Sequence, residues 1–150
     1  MTVHHLVYVS QAAPGMSDAT IAEIVEASRA YNAAHGITGV LLFVPGRDGH
    51  VGSFMQLLEG ESGEVKSLTE MILADPRHHT KVVLTQGQRE RRCFPDWSMA
   101  LKTAAPEEIA DHPILANLAN KEFMDKVACG PEANTVLPLL MDFWDAEPLD

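Results

Sequence analysis

Apolar positions recur along the chain with a period of two in some stretches and of three to four in others, and the order of those stretches predicts the elements. Residues 4–10 alternate and are rich in Val and Tyr, which predicts a strand with Leu6, Tyr8 and Ser10 on one face. After a loop over 11–16, Ser17 stands where a helix N-cap is wanted. Acidic Asp18 and Glu23 follow, and Gly36 closes a helix over about 18–34. Residues 37–44 form a nearly unbroken apolar run and 53–59 a further strand. The turn Pro45-Gly46-Arg47-Asp48-Gly49 between them predicts a hairpin, closed by Gly60. A second helix over about 62–74 carries Val65, Leu68 and Ile72 inward, and Asp75-Pro76 ends it because the residue before proline disfavours α geometry. Strands over 81–86 and, past the basic loop 89–92, over 94–101 complete the series, the last with Trp97, Met99 and Leu101 on one face.

The sum is βαββαββ, an α+β chain of ferredoxin-like arrangement with two helices on one face of a mostly antiparallel sheet. The residues after it read as extra helices capping the other face. Pro106 and Pro113 suit helix starts, and Asn134 suits the cap of a last helix holding Leu139, Leu140 and Phe143.

Composition narrows the function classes. At 150 residues, 46% hydrophobic and 21% charged, the chain suits one globular unit. A formal net charge of −10 repels polyanions and argues against direct nucleic-acid or anionic-lipid binding. The longest apolar runs, 39–44 and 136–141, fall far short of the roughly 20 residues of a membrane helix, and His4 and His5 interrupt any signal-peptide core. A cytoplasmic protein is expected. Cys93 and Cys129 form no CxxC pair and read as small buried or half-buried thiols. The adjacent pairs His4-His5 and His78-His79 point to opposite faces of a strand, so the seven histidines read as mostly surface imidazoles and not as a metal site.

Four positions do not fit a plain core. Ile21, Ile24 and Val25 define the inward stripe of the first helix, and its continuation lands on Ser28 and Asn32. A buried amide without partners costs roughly 1–3 kcal/mol, so Asn32 either reaches a nearby carbonyl or meets something polar. Gln56 sits between Phe54 and Leu58 on one strand face, and Tyr8 brings a phenol to the first strand. First and third strands are central neighbours in a ferredoxin-like sheet, which sets Tyr8 beside Gln56. A hydrogen bond inside a core accounts for that pair alone; the four together point to a ligand between sheet and helices.

These residues carry a resemblance. The segments Leu6-Val-Tyr8-Val-Ser10, Ser28-Arg29-Ala-Tyr-Asn32, Gly36-Ile-Thr-Gly39-Val-Leu-Leu, Phe54-Met-Gln56-Leu-Leu-Glu59-Gly60, Asp75-Pro-Arg77-His78 and Asp96-Trp97-Ser-Met99 resemble, in order, the motif series of BLUF domains, the blue-light sensors using FAD. The likeness covers about residues 3–101. It implies a flavin-binding domain over 1–101 with a helical cap over 102–150, as in short BLUF proteins that act on a separate protein partner. It implies a blue-light photoreceptor, a switch and not an enzyme, with FAD bound non-covalently, FMN or riboflavin being open alternatives. By this resemblance Ile24 and Ile72 hold the ring by apolar contact and Asn32 bonds its pyrimidine edge. Arg77 and His78 add polar contacts, with Ser28, Arg29 and Asp75 beside them. Tyr8 and Gln56 match the photoactive pair, giving a reversible red-shifted state, and Trp97 and Met99 match the pair that carries the signal into the last strand. A homo-oligomer is expected.

There are departures from the family pattern. Tyr31 stands where many members have Asn or His, Met71 replaces a basic residue, and the turn over 45–52 is longer than usual. Two other classes compete. One is a small-molecule-binding or interaction module of the same fold without photochemistry. The other is an acylphosphatase-like hydrolase, for which the loop 11–16 lacks the needed Arg and dense glycines.

Overall fold

Strand β1 (Val3–Ala12) is flanked on both sides and covered on both faces, and every residue from His4 to Ala12 is buried. In the computed structural model, residues 2–46, 52–104, 106–110 and 112–145 are described. Arg47, Asp48 and Gly49 of the expected turn, and the side chain of Phe143, lie outside the described residues. The remaining strands are β2 (Thr38–Val44), β3 (Ser53–Gly60), β4 (His78–Arg89) and β5 (Ala100–Thr103), and the sheet order is β4-β1-β3-β2-β5. All pairings are antiparallel except β2 with β5. The hairpin and the central β1–β3 neighbours are therefore as the sequence pattern predicts.

Alternation sends two sets of side chains to two layers. Leu6, Tyr8, Leu41, Phe43, Phe54 and Leu58 meet Ile21 and Val25 of α1 (Asp18–His35) and Val65 and Leu68 of α2 (Ser62–Leu73). Val7, Val9, Val40, Leu42, Met55 and Leu57 meet the chain's C-terminal third. That third folds as α3 (Pro106–Ile109), α4 (Pro113–Ala116), α5 (Lys121–Cys129), a 3-10 helix over Pro131–Thr135, and α6 (Val136–Asp145). Leu115, Leu118, Met124, Val136 and Leu140 complete the second core. The α+β architecture with helices on both faces is thus observed.

Local chemistry explains the helix ends. Ser17 Oγ accepts from the Thr20 amide at 3.1 Å, and Gly36 takes the left-handed conformation, φ 67°, that ends α1. Glu61 caps α2, and Lys81 Nζ donates to the Leu73 and Asp75 carbonyls at 2.8 and 3.0 Å just past its end. Asn120 caps α5 by accepting from the Phe123 amide. Asn134 caps nothing, because the 3-10 turn it belongs to runs directly into α6.

Three further expectations are corrected. The last strand is short: the chain from Phe94 to Ser98 bends and turns, so period two does not hold across it. Trp97 consequently packs in the C-terminal layer, stacked on Phe94 with ring centroids 5.6 Å apart, while Met99 and Leu101 pack in the α1/α2 layer. His4, His5 and His78 are buried and not surface imidazoles, because β1 is covered on both faces and His78 turns inward to Ser10 and the Ile72 carbonyl while His79 stays exposed. Cys129 is exposed at the end of α5, whereas Cys93 is half-buried. Among the described residues no group of three or more His, Cys, Asp or Glu is placed to hold a metal ion, and no helix is long and apolar enough to cross a membrane.

The connection between β4 and β5 is anchored by charge. Glu59, fully buried, accepts from the Cys93 and Phe94 amides at 2.7 and 2.9 Å, and Arg92 donates to the Gly36 and Glu59 carbonyls and to Thr38 Oγ1. Gly39 lies beside this anchor, its amide donating to the Trp97 carbonyl at 3.0 Å. A Cβ at Gly39 would lie 1.9 Å from the Leu57 carbonyl oxygen, and a neighbouring strand's backbone cannot rotate away. Gly39→Ala is expected to cost more than about 3 kcal/mol in chemical denaturation; a variant within about 1 kcal/mol of the parent would contradict this close approach.

Candidate functional site

The layer of α1 and α2 is not filled. Between these helices and the sheet lies a cavity of about 290 Å³, at the lower end of the volumes that hold small ligands. Its floor is Tyr8, Leu41, Phe54 and Gln56 from three strands. Ile24, Ser28, Tyr31 and Asn32 line it from α1, Leu68, Met71 and Ile72 from α2, and Asp75, Arg77 and His78 from the turn into β4. The wall is mostly apolar with convergent polar groups.

Tyr8 and Gln56 are register partners on β1 and β3, and the Tyr8 hydroxyl donates to Gln56 Oε1. Gln56 Nε2 donates in turn to Met99 Sδ at 3.4 Å. Burial, with the Asp75 charge adding to it, raises the Tyr8 phenol above its ordinary value, so the hydroxyl keeps its proton. Asn32, fully buried on α1, donates from Nδ2 to the Ser98 carbonyl at 2.6 Å. That bond fixes the amide's orientation and leaves Oδ1 buried with no partner. An unpartnered buried acceptor on a cavity wall is a place for a ligand's N–H.

His78 joins three elements. Nε2 lies 2.8 Å from the Ile72 carbonyl, which only accepts, so Nε2 carries the proton; Nδ1, 2.7 Å from Ser10 Oγ, then accepts from the hydroxyl. Burial lowers the pKa of His78, which agrees with a neutral ring. Asp75 receives Arg77 Nε, Nη2 and the Arg77 amide, the closest at 2.6 Å, and this bonding holds its carboxyl below the ordinary range.

The structure therefore gathers Tyr8, Ile24, Ser28, Asn32, Gln56, Ile72, Asp75, Arg77 and His78 around one cavity. Arg29 lies on the flank of α1 beside the Ser28–Asn32 row and is absent from the wall. Its Nε donates to the Met99 carbonyl at 2.8 Å. Met99 touches Gln56 from outside the wall, and Trp97 is in the other layer. Sequence reasoning passed over Met16 and Leu41 as lining residues and Ser10 as the partner of His78. Ser10 had a signal, a hydroxyl on Tyr8's face of an otherwise apolar strand; Leu41 is signalled only by its register opposite Gln56, and Met16, on a loop, by nothing.

Comparison with known proteins agrees with this geometry. The family model described as "BLUF: Sensors of blue-light using FAD" matches residues 3–100. The photoactivated adenylate cyclase subunit beta of Euglena longa is 32% identical over 121 residues, which is 80% of this chain and 13% of that protein. The chain thus spans a small part of the curated relatives it matches. Among solved structures, the dark state of BlrB, a BLUF protein, is 31% identical with a TM-score of 0.64, covering 85% of this chain and 96% of that one. Klebsiella pneumoniae BlrP1 with FMN and cyclic diGMP is 32% identical with a TM-score of 0.59, covering 67% and 26%.

The neutral His78 has a consequence for stability. Its folded pKa lies below the ordinary value of about 6.5, so below that pH the unfolded chain takes up a proton that the folded chain refuses. Urea midpoints measured from pH 7.5 downward should fall as the pH drops below about 6.5, and His78→Gln should flatten part of the slope. His5, also lowered by burial, supplies a further part of the same sign. A slope unchanged in His78→Gln would show that the ring takes up its proton equally in the folded and unfolded chain.

Proposed function

The chain belongs to the BLUF family and is a blue-light photoreceptor that binds a flavin, and from that premise we propose that Tyr8 and Gln56 are its light-driven relay and that residues 97–99 carry the change to the C-terminal layer. The observation that carries this reading is the Tyr8–Gln56 hydrogen bond on the cavity floor.

The residues present fit a flavin. Ile24, Ile72, Leu68 and Met71 offer apolar surface on two sides of a slot, suited to a flat aromatic ring. Asn32 Oδ1, an acceptor without a partner, suits the single N–H on the pyrimidine edge of the ring, and Ser28, Arg77 and His78 bring further polar groups to the wall. When bound, the flavin supplies absorption of blue light and an excited state that takes up an electron. Tyr8 keeps its proton in the dark, so it loses electron and proton together, and the acceptor it touches is Gln56 Oε1. Gln56 is poorly committed to one orientation. A phenol hydroxyl donates or accepts equally well, and the thioether of Met99 is a weak partner at 3.4 Å. Rotation of the amide exchanges one weak bond and keeps the strong one, so two arrangements lie close in free energy. Both electron and proton return to Tyr8, which makes the outcome a rearranged set of hydrogen bonds and not a product.

On this reading residues 1–101 sense and 102–150 form the cap, and a homo-oligomer in the cytoplasm passes the signal to a separate protein partner without turnover of a substrate. The longer relatives named as adenylate cyclases support a downstream effector as the kind of partner.

The purified protein should show a flavin spectrum that shifts slightly to the red under blue light and returns in the dark. Tyr8→Phe and Gln56→Leu should keep flavin and lose the shift; a normal photocycle in either overturns the relay. Asn32→Ala should weaken flavin retention about tenfold, the worth of one buried hydrogen bond, in equilibrium dialysis. Unchanged affinity would assign Asn32 to the Ser98 carbonyl alone.

A further inference from the structure

Three consecutive carbonyls, those of Trp97, Ser98 and Met99, precede β5 and lie outside its pairing with β2. Each is nevertheless bonded: Trp97 O by the Gly39 amide at 3.0 Å, Ser98 O by Asn32 Nδ2 at 2.6 Å, and Met99 O by Arg29 Nε at 2.8 Å. Two of the three donors are side chains of α1, one turn's flank apart. Arg29 is itself aimed by Glu26, one helical turn back, whose Oε1 accepts from Nη1 at 3.0 Å.

Met99 is thus held at two points of unequal strength. Its sulfur takes a long contact from Gln56, and its carbonyl takes a shorter, charge-assisted bond from Arg29. The same short segment reaches both layers, with Met99 buried under the helices beside Gln56 and Trp97 packed in the C-terminal core. What happens when Gln56 releases the sulfur depends on whether the backbone of Met99 stays where it is.

We propose that Arg29 is a positioning residue, not a flavin contact: by holding the Met99 carbonyl on α1 it sets the register of residues 97–99 and so governs how long the lit arrangement lasts. This deepens the relay reading and rests on it for the light-dependent part alone. The bond belongs to the dark arrangement and re-forms as the segment returns, so its loss slows the return. Arg29 is more than two-fifths exposed, so its replacement leaves the core intact.

The test compares the flavin-loaded protein with Arg29→Met, which keeps the apolar stem, and Arg29→Lys, which restores a cation. Hydrogen exchange of the amides over residues 97–103 and of Gly39 is measured in the dark, and recovery after blue light is followed by absorbance. Arg29→Met should retain flavin and the full size of the red shift, exchange faster over that segment, and recover about tenfold more slowly, the effect of one charge-assisted bond. Arg29→Lys should recover part of both effects. Loss of flavin or of the shift in Arg29→Met overturns the proposal in favour of a cofactor contact. Unchanged exchange and recovery overturn it as well. If the unaltered protein has no photocycle, the relay fails, and the dark exchange still decides the positioning role on its own.

Discussion

A buried phenol and a buried primary amide face each other on adjacent strands and bond to one another, and that pairing organises the α1/α2 half of the molecule. β1 and β3 must pair in the register that sets Tyr8 opposite Gln56, because a slip of one residue would keep one polar group on the α1/α2 face and send the other, without its partner, into the apolar C-terminal core. Once the register is fixed, so is the face that stays open. Leu41 and Phe54 come to the cavity floor with Gln56, and α1 and α2 must stand apart above it to leave the cavity. The helices meet the sheet through Ile21 and Val25 of α1 and Val65 and Leu68 of α2.

The other half of the structure answers a different demand, which is where the backbone of residues 90–99 finds its partners. This stretch leaves β4, crosses to the far side of β2 and enters β5 parallel to it, so it cannot borrow ladder hydrogen bonds on the way. Buried Glu59 and the fork of Arg92 hold its first part; Gly39, Asn32 and Arg29 hold its last. The cap is tied separately. Gln11 Nε2 donates to the Leu118 carbonyl at 2.7 Å, and its Oε1 accepts from Ser53, so β1 and β3 share one side chain with the C-terminal layer.

Much of this was legible from period and punctuation. Ser17 and Gly36 bracket a helix for reasons of capping and backbone conformation that act locally, and the alternation of β1 through β3 states which faces are buried. Where the sequence misled, a tertiary requirement overrode a local one. Trp97, Met99 and Leu101 have strand spacing, yet the chain there is bent by the need to cross β2, and Trp97 turns into the opposite layer. His4, His5 and His78 read as surface groups because burial of an imidazole depends on partners far along the chain, Gln88 for His4 and Ser10 for His78. The cavity residues on strands and helices could be read as polar intrusions in apolar stripes; Arg29 could not be placed, because a polar residue on an exposed flank gives no sign of which carbonyl it will reach.

A light switch needs two arrangements separated by little free energy, and the groups around Gln56 supply them. Its amide is held by one partner that is indifferent to direction and one that is weak, so neither orientation is strongly favoured by the protein itself. A switch driven by ligand binding would need differential affinity to move such a balance. Light needs none: on the proposed relay the energy enters through Tyr8 and Gln56, and the protein has only to keep the second arrangement from collapsing at once. In the proposal made for Arg29, the return is drawn by the segment next to the amide, whose three carbonyls are bonded in the dark arrangement. Met99 is flexible and repacks cheaply, whereas the three bonded carbonyls resist backbone movement. On the proposed relay, the side chain of Met99 answers Gln56 directly, and Trp97 and the cap are reached only through the main chain of residues 97–99.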